Sequence, residues 1–465
     1  MVVRKIIIFL LAIAILMPPL NVNAQTELPL TASAVVLMEQ TTGRVLYSRN
    51  ANVQKYPAST TKMLTALVVV QHLNLDDIVV VGQEIRSVPP DFLRVGHFEG
   101  ETITVRMLLH ALLIPSGNES AMVLATEVAR VVENRRNIPY AQAQTIFSRL
   151  MNEKAHSLGA TDSNFNNPYG FHSNSHFTTA YDMALIGRAF INNPILAEIS
   201  ATRTFSGDSL EGMSHPQGQV RNYSWTNTNL MLPGAPHGHP YVTGGRTGFT
   251  TPAGHSFVGT AYHNGFALVA SVLYSREPDR WQDTRVLMDY GFNNFDFREV
   301  AAQGQLLDTI TIENPRRGDF DTLDIYLSEG HVALLSRTEY ANMRRTITFD
   351  PLLEVEHDGE GIILRAPIEE GAVVGMVVFQ TGGEIIFSAQ ALAARYVAER
   401  TFDSDMDYYI AMVTDNIFTR RALPYWFGIF GTLFGILGIW LALSASSKAR
   451  RLERWGSPTK RNRKG

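Results

Sequence analysis

The chain has no cysteine among its 465 residues. No disulfide can brace it, no thiolate can serve as nucleophile, and no zinc–thiolate site can form. An excess of positive charge is missing too. The formal net charge is −4, which argues against a nucleic-acid partner. The sequence shows no internal repeat and no low-complexity tract. A chain of this length holds two or three domains and must be stable through its core rather than through cross-links.

Long apolar runs stand at both ends. "MVVRKIIIFLLAIAILMPPLNVNA" carries Arg4 and Lys5, a short apolar stretch from Ile6 to Met17, Pro18 and Pro19, and a small Ala24. That is the layout of a secretory signal peptide, cleaved after Ala24. "YWFGIFGTLFGILGIWLAL" (Tyr425–Leu443) is uncharged and about long enough to cross a bilayer, with aromatic residues near its ends. Lys448, Arg450, Arg451 and Arg454 follow it, so the positive-inside rule places the C-terminus in the cytoplasm and the bulk of the chain outside. Gly428, Gly431, Gly435 and Gly438 permit close pairing with a second copy, hence a homodimer. Relief of bulky neighbours within a single helix is the blander account.

Between the ends, "LTASAVVLMEQTTGRVLYSRN" reads as a β-hairpin turning at Gln40–Gly43. Helical periodicity runs over Thr60–Leu73, Val105–Leu113, Ser120–Val132 and Tyr140–Leu158. Two later strands meet at Asn264-Gly265, a strong hairpin signal, and a helix follows from Trp281 towards Tyr290. Strands, a helical block and closing strands predict an antiparallel sheet flanked by helices. From Leu306 to about Phe387 short β-like segments separated by glycines and charged turns predict a small all-β domain. The expected layout is 1–24 signal peptide, 25–296 main domain, 297–389 β-rich domain, 390–422 helical stalk, 423–445 transmembrane helix and 446–465 basic cytoplasmic tail.

Three short motifs carry chemistry. Ser59 and Lys62, in "YPASTTKMLT", share a helix face; a hydroxyl beside an amine is either a nucleophile with its base or an N-cap followed by a solvated lysine. A second Ser-x-x-Lys, Ser457–Lys460, lies in the basic tail, so the motif needs its context. At the start of a helix, free N–H groups and the positive dipole end can stabilise an oxyanion. Ser116-Gly117-Asn118 ends one helical run and begins the next. It is either a capped turn or a hydroxyl that relays a proton beside an amide that holds a substrate backbone. Arg246-Thr247-Gly248 opens a closing strand, where a cation and a hydroxyl could grip a carboxylate while an extended peptide pairs with the strand edge. A glycine-rich turn with a solvated arginine is the plainer reading.

In this order the motifs resemble those of the D-alanyl-D-alanine carboxypeptidases, the low-molecular-mass penicillin-binding proteins of serine peptidase family S11. "PASTTKMLTAL", "PSGNESA", "LGATDSNFNNPYGF", "HFTTAYDMALI", "NTNLML" and "GGRTGFTTPAGHSFVGTA" all look like that family. The resemblance is close over about Leu30 to Phe292 and looser over the β-rich segment. It implies an α/β (α+β) fold of the β-lactamase/transpeptidase type. It also implies that Ser59 attacks the carbonyl between the terminal D-alanines of a peptidoglycan stem peptide, with Lys62 as base. Ser116 would pass the proton to the departing amine, and Asn118 would orient Lys62 and the substrate. Arg246 and Thr247 would hold the terminal carboxylate, and the N–H groups of Ser59 and Phe249, beside Gly248, would form the oxyanion hole. β-Lactams would acylate the same serine; no cofactor or metal is implied. The family has lysine where this chain has Arg246, which keeps the charge but cannot give up its proton.

Three rivals are weaker. A β-lactamase needs a deacylating glutamate between the second and third motifs, and "NFNNPYGFHSNSHF" offers no acid. A metallopeptidase could use His172 and His176, or His237 and His239, with Asp182 near in sequence, but both pairs lie in turn-rich stretches without a His-Glu-x-x-His motif. A membrane-anchored cell-wall scaffold with an impaired site draws its support from Arg246 alone.

Overall fold

The computed structural model describes residues 27–453 apart from 90–91, 209–221, 356–361, 418 and 420–421. The expected signal peptide and the far end of the basic tail lie outside the described residues. The chain forms two units. One runs to Arg298 and takes in Leu334–Ala341; the other comprises Glu299–Ala333 and the residues from Asn342 on.

The first unit is built on five antiparallel strands: β1 (Ala34–Glu39), β2 (Val45–Arg49), β3 (Val242–Thr250), β4 (Gly254–His263) and β5 (Phe266–Ser275). Their spatial order is β2-β1-β5-β4-β3, leaving β3 at an edge. Every residue of β1 is buried, because both faces of the sheet are covered. Ala34, Val36 and Met38 point into one core with the helices α1 (Lys62–His72), α2 (Val105–Leu113), α3 (Asn118–Val132) and α4 (Ala180–Ile191). Val35 and Leu37 point the other way, onto Trp281, Leu287 and Met288 of α5 (Asp279–Asn294). The period-2 alternation of a strand thus serves two cores at once. Asn264 and Gly265 both take positive φ in the tight turn between β4 and β5, which only such residues adopt cheaply.

The helices begin where side chains can cap them. The Thr104 hydroxyl accepts from the Met107 N–H at 3.2 Å to start α2, and the Thr179 hydroxyl accepts from the Asp182 N–H at 3.0 Å to start α4.

The second unit holds a seven-stranded sheet in the order Arg344–Phe349, Val373–Thr381, Glu384–Ala393, Thr322–Leu327, Leu306–Glu313, Ile363–Arg365, Glu354–Val355. Where a helical stalk was expected from residue 390, the chain continues as strand to Ala393 and turns helical only over Phe402–Ile417. Ala389, Ala391 and Ala393 are buried at alternate positions, and pairing with Val373–Thr381 overrides the helix propensity of an alanine-rich run. Leu423–Lys448 is long and apolar enough to cross a membrane.

Candidate active site

Ala58–Thr61 forms a single tight helical turn that feeds α1, so Ser59 stands at the head of a helix. Ala58 is in the left-handed region (φ 48°), unusual for a residue with a Cβ. The turn is held from two sides by glycines. A Cβ on Gly170 would lie 1.9 Å from the Ala58 carbonyl oxygen, and one on Gly248 of β3 would lie 2.8 Å from that of Pro57 and 3.2 Å from the Ser59 nitrogen. Only bare backbone fits at either place.

Lys62 is fully buried. Its Nζ lies 3.0 Å from Ser59 Oγ, 2.8 Å from Asn118 Oδ1 and 2.9 Å from the Tyr169 carbonyl oxygen. Burial, and after it the positive charge of Arg246, holds the amine well below the usual lysine range. A neutral amine has two N–H groups and one lone pair. The two carbonyl-type oxygens only accept, so an amine that has given up its third proton can donate to both and turn its lone pair to the Ser59 hydroxyl. Asn118 is fixed from its other end, since its Nδ2 donates to the Leu93 carbonyl at 3.0 Å. Ser116 sits just before α3 at φ 79°, another strained non-glycine.

Ser59, Ser116, Asn118, Thr247, Gly248 and Phe249 line one cleft of ≈ 630 Å³, together with Thr228, His172, His255 and Arg280. Arg246 does not line it. That side chain is 1% exposed and its Nη1 donates to the Leu113 carbonyl and to Thr228 Oγ1, each at 2.9 Å. Burial pushes the guanidinium down to about 9, so it is still a cation at neutral pH. The Thr247 hydroxyl donates to the same Thr228 oxygen at 2.9 Å. Arg246 therefore reaches the cleft through Thr228 and through its field on Lys62, whereas Arg280 lines the cleft itself, placed over the Trp281 ring and paired with Glu277 at 2.9 Å. Phe249 is half exposed and stacks on His255.

Thr228, Tyr169 and Arg280 were not singled out by sequence reasoning. Thr228 sits inside the quoted "NTNLML" and Tyr169 inside "LGATDSNFNNPYGF", but what Tyr169 offers Lys62 is its main-chain oxygen, which no residue type announces. The two histidine pairs have separate duties. His176 Nε2 faces Thr61 Oγ1 at 2.9 Å while its Nδ1 accepts from the Asn166 N–H at 3.0 Å. His172 packs edge-on against Tyr56, His239 faces Asp289 at 3.2 Å, and His237 stacks on Trp281.

Residues 21–277 match the serine peptidase S11 family, described as D-alanyl-D-alanine carboxypeptidase. The D-alanyl-D-alanine carboxypeptidase DacC of Escherichia coli is 28% identical over 80% of this chain and 85% of its own. DacB2 of Mycobacterium tuberculosis is 32% identical over 56% of this chain and 82% of its own. Among solved structures, penicillin binding protein 5 from Haemophilus influenzae shares the fold, with a TM-score of 0.55 and 23% identity over 81% of this chain and all of that one.

Proposed function

The chain belongs to the D-alanyl-D-alanine carboxypeptidase family and is a serine-type hydrolase of that class, and from this premise we propose that Ser59 forms an acyl-enzyme with the penultimate D-alanine of a peptidoglycan stem peptide. The observation that carries the reading is the buried Lys62 amine 3.0 Å from Ser59 Oγ, with Asn118 Oδ1 and the Tyr169 carbonyl oxygen beside it at 2.8 and 2.9 Å.

Lys62 takes the Ser59 proton as Oγ attacks the carbonyl carbon between the two D-alanines. The oxyanion is received by the N–H groups of Ser59, at the head of a helical turn, and of Phe249, on an edge strand. As the C–N bond breaks, the proton returns through Ser116 to the departing D-alanine amine. Water, giving up a proton along the same path, then hydrolyses the ester and frees Ser59. The substrate's terminal carboxylate lies at the Thr247 end of the cleft, where Arg280 supplies the surface cation. Thr247 turns its O–H from Thr228 to the carboxylate, and Arg246 keeps the Thr228 oxygen occupied behind it. A β-lactam, carrying a strained amide and a carboxylate at similar spacing, acylates Ser59 by the same steps. The catalytic unit acts outside the cytoplasm, anchored by Leu423–Lys448.

The test is mass spectrometry of pentapeptide muropeptides incubated with the full chain in detergent. One alanine should leave each pentapeptide. Ser59→Ala should abolish both that release and labelling by a fluorescent penicillin; equal labelling of the variant would exclude this nucleophile.

A further inference from the structure

Behind the Ser116-Gly117-Asn118 turn lies a buried trio to which the chemistry above assigns no part. The His97 side chain has no exposed surface and that of Glu101 is 4% exposed. His97 Nδ1 faces Glu101 Oε2 at 2.9 Å and its Nε2 faces Ser120 Oγ at 3.0 Å. The ring is pinned between the Glu101 carboxyl group on one side and the Ser120 hydroxyl on the other. Well-packed apolar side chains would hold a fold at least as cheaply as a buried charged network. A complete polar network instead fixes one orientation.

Ser120 lies on the first turn of α3, and its two predecessors grip the same loop. Asn118 Nδ2 donates to the Leu93 carbonyl, and Glu119 accepts from the Val95 N–H at 2.7 Å and the Gly96 N–H at 3.3 Å. Three consecutive side chains thus bind residues 93–97, and Leu93 is part of the cleft wall. The turn rests directly on this arrangement: a Cβ at Gly117 would lie 2.6 Å from Ser120 Oγ and 2.8 Å from the Ala111 carbonyl oxygen. A strained residue such as Ser116 keeps its conformation only where its surroundings over-determine it.

We propose that His97, Glu101 and Ser120 form a positioning triad that sets the height of the Ser116–Asn118 turn against residues 93–97 and, through Asn118, aligns the Lys62 amine with Ser59. None of the three touches the reacting atoms. The proposal rests on Lys62 being the base, and its test is arranged so that the two ideas fail separately.

The experiment uses the full chain in detergent, with fluorescent penicillin as probe and with unfolding midpoints measured in parallel. An amide at position 97 can mimic one ring nitrogen: His97→Gln can keep the contact to Ser120, and His97→Asn the contact to Glu101. Ser120→Ala and His97→Asn should each lower the limiting acylation rate about tenfold, as expected for a sub-ångström misplacement of a catalytic group. The probe concentration giving half the limiting rate should stay within about twofold, because the binding surface remains. His97→Gln should recover most of the rate, although it loses the Glu101 contact. Glu127→Gln, which removes the carboxylate shared by Arg130 further along α3 and Arg136 beyond its end, should lower the unfolding midpoint without changing acylation. The proposal is overturned if Ser120→Ala and His97→Asn acylate at the wild-type rate, or if all four variants lose rate in proportion to their loss of stability. Absence of labelling in the wild-type chain would instead remove the acyl-enzyme reading itself.

Discussion

Gly170→Ala tests whether the shape of the Ser59 turn matters to the chemistry. The substituted Cβ would fall 1.9 Å from the Ala58 oxygen and 2.9 Å from the Ser59 nitrogen, and real Cβ atoms essentially never approach closer than 3.0 Å. The two segments must therefore separate by about 1.1 Å, and both are main chain, so no side chain can swing aside. A displacement of about 1 Å at a reacting group costs roughly 100-fold in rate. Gly170 also has φ 88°, and the left-handed region costs a residue with a Cβ about 1–2 kcal/mol. That backbone penalty can be measured apart from the clash. Gly265 has φ 82° but nothing within 4 Å of its would-be Cβ, so Gly265→Ala carries the strain alone. In a unit of this size it should lower the unfolding midpoint by about 2–8 °C and leave acylation untouched. Gly170→Ala should lower the midpoint at least as much and slow labelling by fluorescent penicillin roughly 100-fold. Labelling at the wild-type rate by a folded Gly170→Ala protein would refute the idea that this turn has to be held where it is.

Three further outcomes follow from the buried charges. Arg246→Gln removes a cation that disfavours protonation of Lys62, so the lysine should rise towards its ordinary range; the acid limb of the acylation profile should then move to higher pH, while Arg246→Lys leaves it near its original place. The Lys62 amine holds its proton less tightly when folded than when unfolded, so its burial costs stability and that cost shrinks as pH rises; Lys62→Met should abolish labelling yet raise the unfolding midpoint at pH 7. His176 is held down to about 3 against an ordinary 6.5 by burial and, after it, by the neighbouring His172. Its unfolded form gains a proton first as pH falls, so stability should drop steadily between those values, a slope that denaturant titrations should find reduced in His176→Asn.

The sequence makes the two-faced sheet and most of the helical block readable because their signals are local. The first five residues of Ala34–Glu39 form a continuous apolar run, Asn264-Gly265 a dipeptide turn, and Val105–Leu113 a periodic stretch behind a capping threonine. Helices α4 and Pro194–Ala201 escaped notice although Thr179 and Asn193 cap them and Pro194 stands at a first helical position; those signals were there to be used. The strand ending at Ala393 was not legible, because its pairing partner lies elsewhere and alanine itself favours helix. Within the site, residue types and spacing point to Ser59, Lys62, Ser116 and Asn118. They do not reveal that Arg246 turns inward, since that depends on Leu113 and Thr228, 133 and 18 residues away along the chain. Nor could spacing give the Tyr169 carbonyl, whose part is played by backbone.

Asn118 commits its oxygen to the Lys62 amine and its nitrogen to the main chain of Leu93, joining a wall of the cleft to that amine through one rigid plane. A planar amide cannot follow one partner without abandoning the other. On the chemistry proposed above, a guest that shouldered Leu93 aside would draw the carboxamide away from Lys62, so the fit of a molecule in the cleft and the readiness of Ser59 would be tied through the same few atoms.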